Sequence, residues 1–276
     1  MKKAIFTIVA ATCILVSNIA QAQTDSLLAS IIKIVSPVEI SDMIRRQGIA
    51  YDNTILNKAT NVPKYTTPYK QALNLGIFST DLGYATINDK SSDALTYITQ
   101  VKTIAKLLKV EQFINMSKIM QLAMNKSDMN KLLDETSSTF ENISDHLEKQ
   151  KKPERAALML SGGWLETLYI TCEVAKKEVA KKEQNKVLKT RIGEQKIILE
   201  QLLLLLSFYK DNDNIQKLLQ DFNKLNKIYE NVKITYSSGE SVTKPGPNGE
   251  LITEGGTSSE ILLTDKDLDS ILISVK

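Results

Sequence analysis

Helix-breaking residues are distributed very unevenly along this chain. Of its 11 glycines and six prolines, five glycines and two prolines fall between Ser237 and Thr257. An interior glycine costs a helix ~1 kcal/mol and an interior proline ~3 kcal/mol, so their scarcity up to Tyr236 predicts a body that is helical almost throughout. The chain is 42% apolar and 24% charged over 276 residues, which supplies enough apolar surface for a folded core.

Punctuation marks divide the body. Ser36-Pro37-Val38-Glu39 combines a capping box with proline at the first helical position, and Gly48 stands where that helix would stop. Thr67-Pro68 opens a second helix, predicted to run to about Asn88. Further periodic stretches cover Ser92 to Leu108, Glu111 to Met124, Ser127 to Lys149, Pro153 to about Lys182, Asn185 to Tyr209, and Asp213 to Tyr229. The joints are short and polar, as helix hairpins require. After Tyr229 the period changes to an alternation at Val232, Ile234 and Tyr236, then a loop with an Asn248-Gly249 turn signal, a return through Leu251-Ile252 and Ile261 to Leu263, and a last helix from Asp265 to Ser274 capped by Thr264. The expected fold is all-α, a multi-helix antiparallel bundle of helix hairpins with a small C-terminal β-hairpin-like element. The stretch from Ser238 to Ser259 is expected to be mobile at its tip.

The first residues read as a leader. Lys2 and Lys3 precede an apolar run from Ala4 to Ala20, and Ala20-Gln21-Ala22 has the small-x-small pattern that signal peptidase cuts. The expected organisation is a signal peptide over 1–22, a helical domain over 23–230, and a β excursion with a terminal helix over 231–276. Such a chain would be exported to the periplasm or the cell exterior. Cleavage would lower the formal charge from +3 to +1, too balanced to attract nucleic acid, and would leave Cys172 as the sole thiol. The most apolar later run, Ile197 to Tyr209, spans 13 residues and holds Glu200, so it reads as a buried helix and no transmembrane segment is expected in the mature chain.

Two helices carry apolar residues on more than one side, which predicts interior positions. In the Pro68 helix one stripe holds Tyr69, Leu73, Gly76, Thr80, Tyr84 and Ile87, and another holds Leu75, Phe78, Leu82 and Ala85; Asn74, Asp81 and Asn88 share the remaining face. Gly76 and Gly83 predict gaps for a close neighbour. In the Pro153 helix Leu158, Leu165 and Cys172 line one stripe, Leu160, Trp164 and Thr171 another, with Gly162-Gly163 as a flat spot between them. Glu166 sits among Gly162, Gly163, Tyr169 and Ile170. Two interior helices would make Asp81 and Glu166 the carboxylates most prone to burial and raised pKa values. The segment from Asn74-Leu75-Gly76-Ile77-Phe78 to Asp81-Leu82-Gly83-Tyr84 resembles exported helical bacterial proteins of unknown function, and the resemblance implies export and helicity with no activity attached.

Most catalytic patterns fail on inspection. His146 and Cys172 are too few for a zinc site or a histidine triad, so neither metal nor cofactor is expected. His146 reads as a surface residue at a helix C-terminus and Cys172 as a small core residue. Asp211-Asn212-Asp213-Asn214 starts like a calcium loop but has Phe222 where the bidentate acid belongs. Ser30-Ile31-Ile32-Lys33 matches Ser-x-x-Lys without the partner motifs. The single Trp164 argues against an extended sugar cleft, and Tyr51, Tyr65 and Tyr69 leave room for a small aromatic patch.

The reading favoured by the residues is an exported, soluble helical binding or interaction protein of the cell envelope. Its partner, an envelope protein or small molecule, would meet the groove beside the Pro68 helix or the C-terminal loop, with Asn74, Tyr84 and Tyr169 as candidate ligand contacts. A second reading is a hydrolase using Asp81 and Glu166 as a carboxylate pair about 5 to 9 Å apart in an open pocket. A third is a scaffold or oligomerising bundle with an apolar patch exposed on the Asn185 to Tyr209 helix.

Overall fold

A computed structural model describes residues 27, 31, 37–124, 129–178, 182–238, 242–245, 251–254 and 257–276. The predicted leader, Ser36 of the first capping box, the Asn248-Gly249 turn and all of Ser30 to Lys33 except Ile31 lie outside them.

The body is all-α. Its helices are α1 (Pro37–Arg46), α2 (Pro68–Ile87), α3 (Ser91–Leu108), α4 (Met116–Met124), α5 (Met129–Lys149), α6 (Glu154–Lys177), α7 (Lys182–Ser207) and α8 (Asp213–Tyr229). The predicted Glu111 to Met124 helix is in fact a 3₁₀ turn at Glu111–Phe113 followed by α4, and the predicted Pro153 helix stops at Lys177.

Three helices end without glycine. Asp89, Lys109 and Lys151 adopt left-handed backbone, with φ of 59°, 61° and 58°. Each is followed by an N–H that reaches back five residues, Lys90 to Ala85, Val110 to Ala105 and Lys152 to Leu147, each at 2.9 Å. These are Schellman closures, which satisfy carbonyls the helix end would otherwise leave bare. Gly48, with φ of 68°, follows α1 as its sequence position predicts.

The β element is a long hairpin of two antiparallel ladders. Strand β1 (Lys233–Ser238) pairs with β4 (Thr257–Leu262), and β2 (Val242–Pro245) pairs with β3 (Leu251–Glu254). The return strand expected at Leu251-Ile252 is present as β3, and β2 adds a second strand within the Ser238 to Ser259 stretch. Helix α9 (Asp265–Val275) follows, and Thr264 forms a complete capping box with Asp267. Its Leu268, Ile271 and Leu272 enter the same apolar cluster as the body helices.

Helices α2 and α6 form the middle of the molecule because two glycines let their backbones nearly touch. A Cβ placed on Gly76 would lie 2.0 Å from the Met159 carbonyl oxygen, and one on Gly162 would lie 1.9 Å from that of Leu73. Only hydrogen fits there. Gly83 differs from the expectation: a Cβ on it would meet nothing nearer than Val38 Cγ2 at 3.9 Å, so it borders space and not a closely packed helix.

Around this seam the core closes. Trp164 is fully buried, its ring edge-on to Phe222 at 5.4 Å between centroids and its Nε1–H donating to Gln195 Oε1 at 2.9 Å. Cys172 is buried in the same core, as its stripe predicts. His146 is half-buried near the end of α5, its ring 4.8 Å from that of Phe113. Helix α7 buries Leu199, Leu202, Leu205 and Leu206 while Ile197 and Leu204 remain exposed, so the apolar run is one-sided. Among the described residues, no helix is long and apolar enough to cross a membrane.

Candidate functional site

Two places on α2 and α6 hold chemistry. The first is a carboxylate pair. Asp81 and Glu166 lie 85 positions apart in sequence, yet the α2–α6 seam brings their carboxyl groups close enough to act on each other, and Asp81 Oδ1 is buried without a hydrogen-bond partner. Asp81 is 0% exposed and Glu166 8% exposed. Desolvation, first, and then the charge of Glu166 hold Asp81 well above the ordinary carboxylate range; desolvation pushes Glu166 up to about 7, against a smaller opposite effect of Asp81. Burial and mutual repulsion thus both favour the protonated form of the pair.

A segment between α1 and α2 covers the pair. Its 3₁₀ turns at Asn53–Ile55 and Ala59–Lys64 flank Asn57, whose backbone N–H donates to Asp81 Oδ2 at 3.3 Å. The Asn57 side-chain amide donates to the Tyr65 hydroxyl at 3.0 Å and to Asn74 Oδ1 at 3.4 Å, and Tyr97 Oη donates to the Asn57 carbonyl at 3.1 Å. Burial, followed by the fields of Asp81, Asp93 and Glu166, pushes the Tyr97 hydroxyl pKa up. Further out the segment is tied down by Tyr51 Oη donating to Asp93 at 2.8 Å and by an ion pair of Asp52 with Lys177. The Lys177 hydrogen bond, aided by Thr54, holds Asp52 down at about 2.

The remaining sequence candidates divide. Asn74 joins the pair's surroundings through Asn57. Tyr84 is fully buried, its ring tilted against that of Tyr51 at 5.0 Å between centroids and its hydroxyl without a hydrogen-bond partner. Tyr169 is half-buried; burial, then the charge of Glu173, pushes it up to about 12. The three tyrosines do not make one patch: Tyr51 lies tilted against Tyr84, Tyr65 meets Phe78 edge-on, and Tyr69 feels Asp221. Asn57 and Tyr97 were missed because nothing in a polar loop or at an ordinary amphipathic position announces what it will face.

The second place is a cavity of about 260 Å³ beside α2, lined also by α1, α3, α4, α5 and α6 and open on one side. Val38, Leu82, Ile119, Leu133, Phe140 and Trp164 are among its walls, and Gly76, Gly83 and Gly163 shape it. Neither Asp81 nor Glu166 borders it. A cavity of ~150 Å³ with such a lining stays dry and accepts benzene, so this one has room for about ten non-hydrogen atoms. The amphipathic α5 forms the outer wall. Its Leu132, Ile143 and Leu147 are buried, while Leu133 and Phe140 are only partly covered.

No family model, no curated protein and no solved structure matches this chain.

What the two places can do differs. A hydrolytic pair needs carboxyls ~5 Å or more apart with space for substrate between them. Asp81 and Glu166 instead lie buried beside each other under a strapped segment and do not border the cavity. The cavity is smaller than the ~300–1,000 Å³ of most small-molecule sites, but its lining is mostly apolar as theirs is. On α7, the exposed apolar side chains Val187, Ile197 and Leu204 are spaced well apart along the helix.

Proposed function

We propose that this chain is an exported binding protein of the cell envelope that holds an apolar small molecule in the cavity between α2 and α5. The observation that carries this reading is the cavity itself. Apolar surface left facing water in a concave space costs free energy that an apolar occupant recovers. A 260 Å³ apolar space therefore gains most by being filled. Its location is the groove beside the Pro68 helix singled out in the sequence. Export rests on the charged start, the apolar run and the Ala20-Gln21-Ala22 pattern.

Trp164 is the only tryptophan of the chain and borders the cavity, so it reports on the occupant directly. Titration with 1-octanol is expected to shift or quench its emission saturably, and Gly83→Leu, which places an isobutyl group toward the cavity, is expected to abolish the response while the far-UV circular dichroism is retained. An unchanged saturable response in a folded Gly83→Leu variant would place the ligand elsewhere and defeat the reading.

A further inference from the structure

Resting on that reading, we infer that α5 is a movable wall of the cavity, one that pivots about its C-terminal end and is drawn in over the bound molecule. The argument starts from how little of α5 is buried where it crosses the cavity. Leu132 is buried on one side of the crossing and Ile143 and Leu147 on the other, while none of residues 133–142 is fully buried. Leu133, Thr136, Ser137, Thr139 and Phe140 from this stretch line the cavity, so nearly three turns of helix face space where packing would otherwise hold them. Helix α8 shows the contrast. It is similarly amphipathic, yet it buries Ile215, Leu218, Phe222, Leu225 and Tyr229, a side chain in every turn.

The two anchors of α5 are unequal. Ile143 and Leu147 belong to the main apolar cluster, the His146 ring lies 4.8 Å from that of Phe113, and the Lys152 N–H closes the helix on Leu147 O at 2.9 Å. Leu132 belongs instead to a small separate cluster with Val38 and Ile87, on which Ile119, Leu122 and Leu133 pack. The free energy of a local opening follows the buried apolar contacts a segment must break, so the N-terminal anchor gives way before the C-terminal one. Lys118 of α4 pairs with Glu135 of α5, which carries the two helices together. Across the gap, Glu39 of α1 and Ser79 of α2 are exposed and Gly83 is partly exposed, although all three line the cavity, so the mouth runs along α5. An apolar molecule in that mouth offers residues 133–142 the contacts they lack. Closing on it gains dispersion and removes apolar surface from water.

Hydrogen exchange resolved by segment tests this in the full chain. In the free protein, after correction for intrinsic rates, the amides of residues 133–142 are expected to exchange about tenfold faster than those of residues 218–226 in α8; equal protection overturns a movable α5. Leu122→Ala trims the small cluster without touching the cavity lining, and it is expected to speed exchange in residues 133–142 several-fold while leaving α6 unchanged. An acceleration shared equally by α6 shows only a loss of global stability and overturns the pivot. Saturating 1-octanol, followed at Trp164, is expected to slow exchange in residues 133–142 more than in α8. Saturable binding with equal slowing in both overturns the closure while leaving an apolar site in place. No saturable Trp164 response overturns the binding reading itself and the closure with it.

Discussion

Asp81 shows how one residue takes its character from a neighbour 85 positions away. In the unfolded chain it and Glu166 ionise near 3.8 and 4.5, whereas in the folded protein both are raised, Glu166 to about 7. Over the interval from about pH 4 to pH 7 the native state thus holds more protons than the unfolded state. Stability contributed by the protonated pair is present below the unfolded pKa values and is lost as pH rises through the folded ones. Asp81→Asn keeps a donor to Glu166 and removes one carboxyl from the titration. Urea unfolding is therefore expected to show the variant more stable than wild type at pH 8, by an amount on the order of 1–3 kcal/mol, with a smaller difference at pH 5. Equal pH slopes in the two proteins would mean that folding does not raise the pKa of Asp81. Because Asp81 does not border the cavity, octanol binding should be the same in both.

At the scale of elements, the α2–α6 seam and the helix ends make separable predictions. Gly76→Ala drives a methyl group into the Met159 carbonyl and the Gly163 amide, backbone atoms that move only with their helix. The expected loss is about 3 kcal/mol in denaturant unfolding, at the upper end of overpacking costs. Gly83→Ala has room and gains helix propensity, so it should be neutral or stabilising by up to ~1 kcal/mol. Similar losses from the two would show that the seam is less tight than its distances say. Lys109 closes α3 in left-handed backbone, where a side chain costs roughly 1 kcal/mol or more and glycine costs nothing. Lys109→Gly should therefore raise stability by about that amount, less the added freedom of its unfolded chain; a fall in midpoint would contradict the Schellman closure.

At the scale of the whole molecule, the main apolar cluster joins the body helices to α9, and Cys172 sits inside it. Its burial is complete, and desolvation pushes the thiol pKa up, far from the thiolate form that reacts. A thiol reagent added to the native protein should label Cys172 only as fast as the protein opens globally, and the labelling rate should rise with urea in parallel with unfolding. Rapid labelling without denaturant would show that α6 is exposed by a local motion. Octanol at a hundred times its Kd should slow the same reaction about a hundredfold, because it stabilises the native state by ~2.7 kcal/mol.

Much of this architecture was legible in residue order. The scarcity of glycine and proline before Tyr236 called for helices, Thr67-Pro68 and Thr264 marked two of their starts, and the apolar stripes of α2 and α6 required both to lie inside, because each of these signals acts within a turn or two of the chain. The helix ends at Asp89, Lys109 and Lys151 were not legible, since their left-handed residues are held by backbone bonds and bear no compositional mark. Asp81 and Glu166 could be singled out as buried acids, but their contact, the Asn57 and Tyr97 that enclose them, and the cavity on the other side of α2 follow only from how Gly76 and Gly162 set two distant helices against each other. Periodicity specifies which face of a helix must leave water; the tertiary packing alone decides what that face meets, and where it meets nothing.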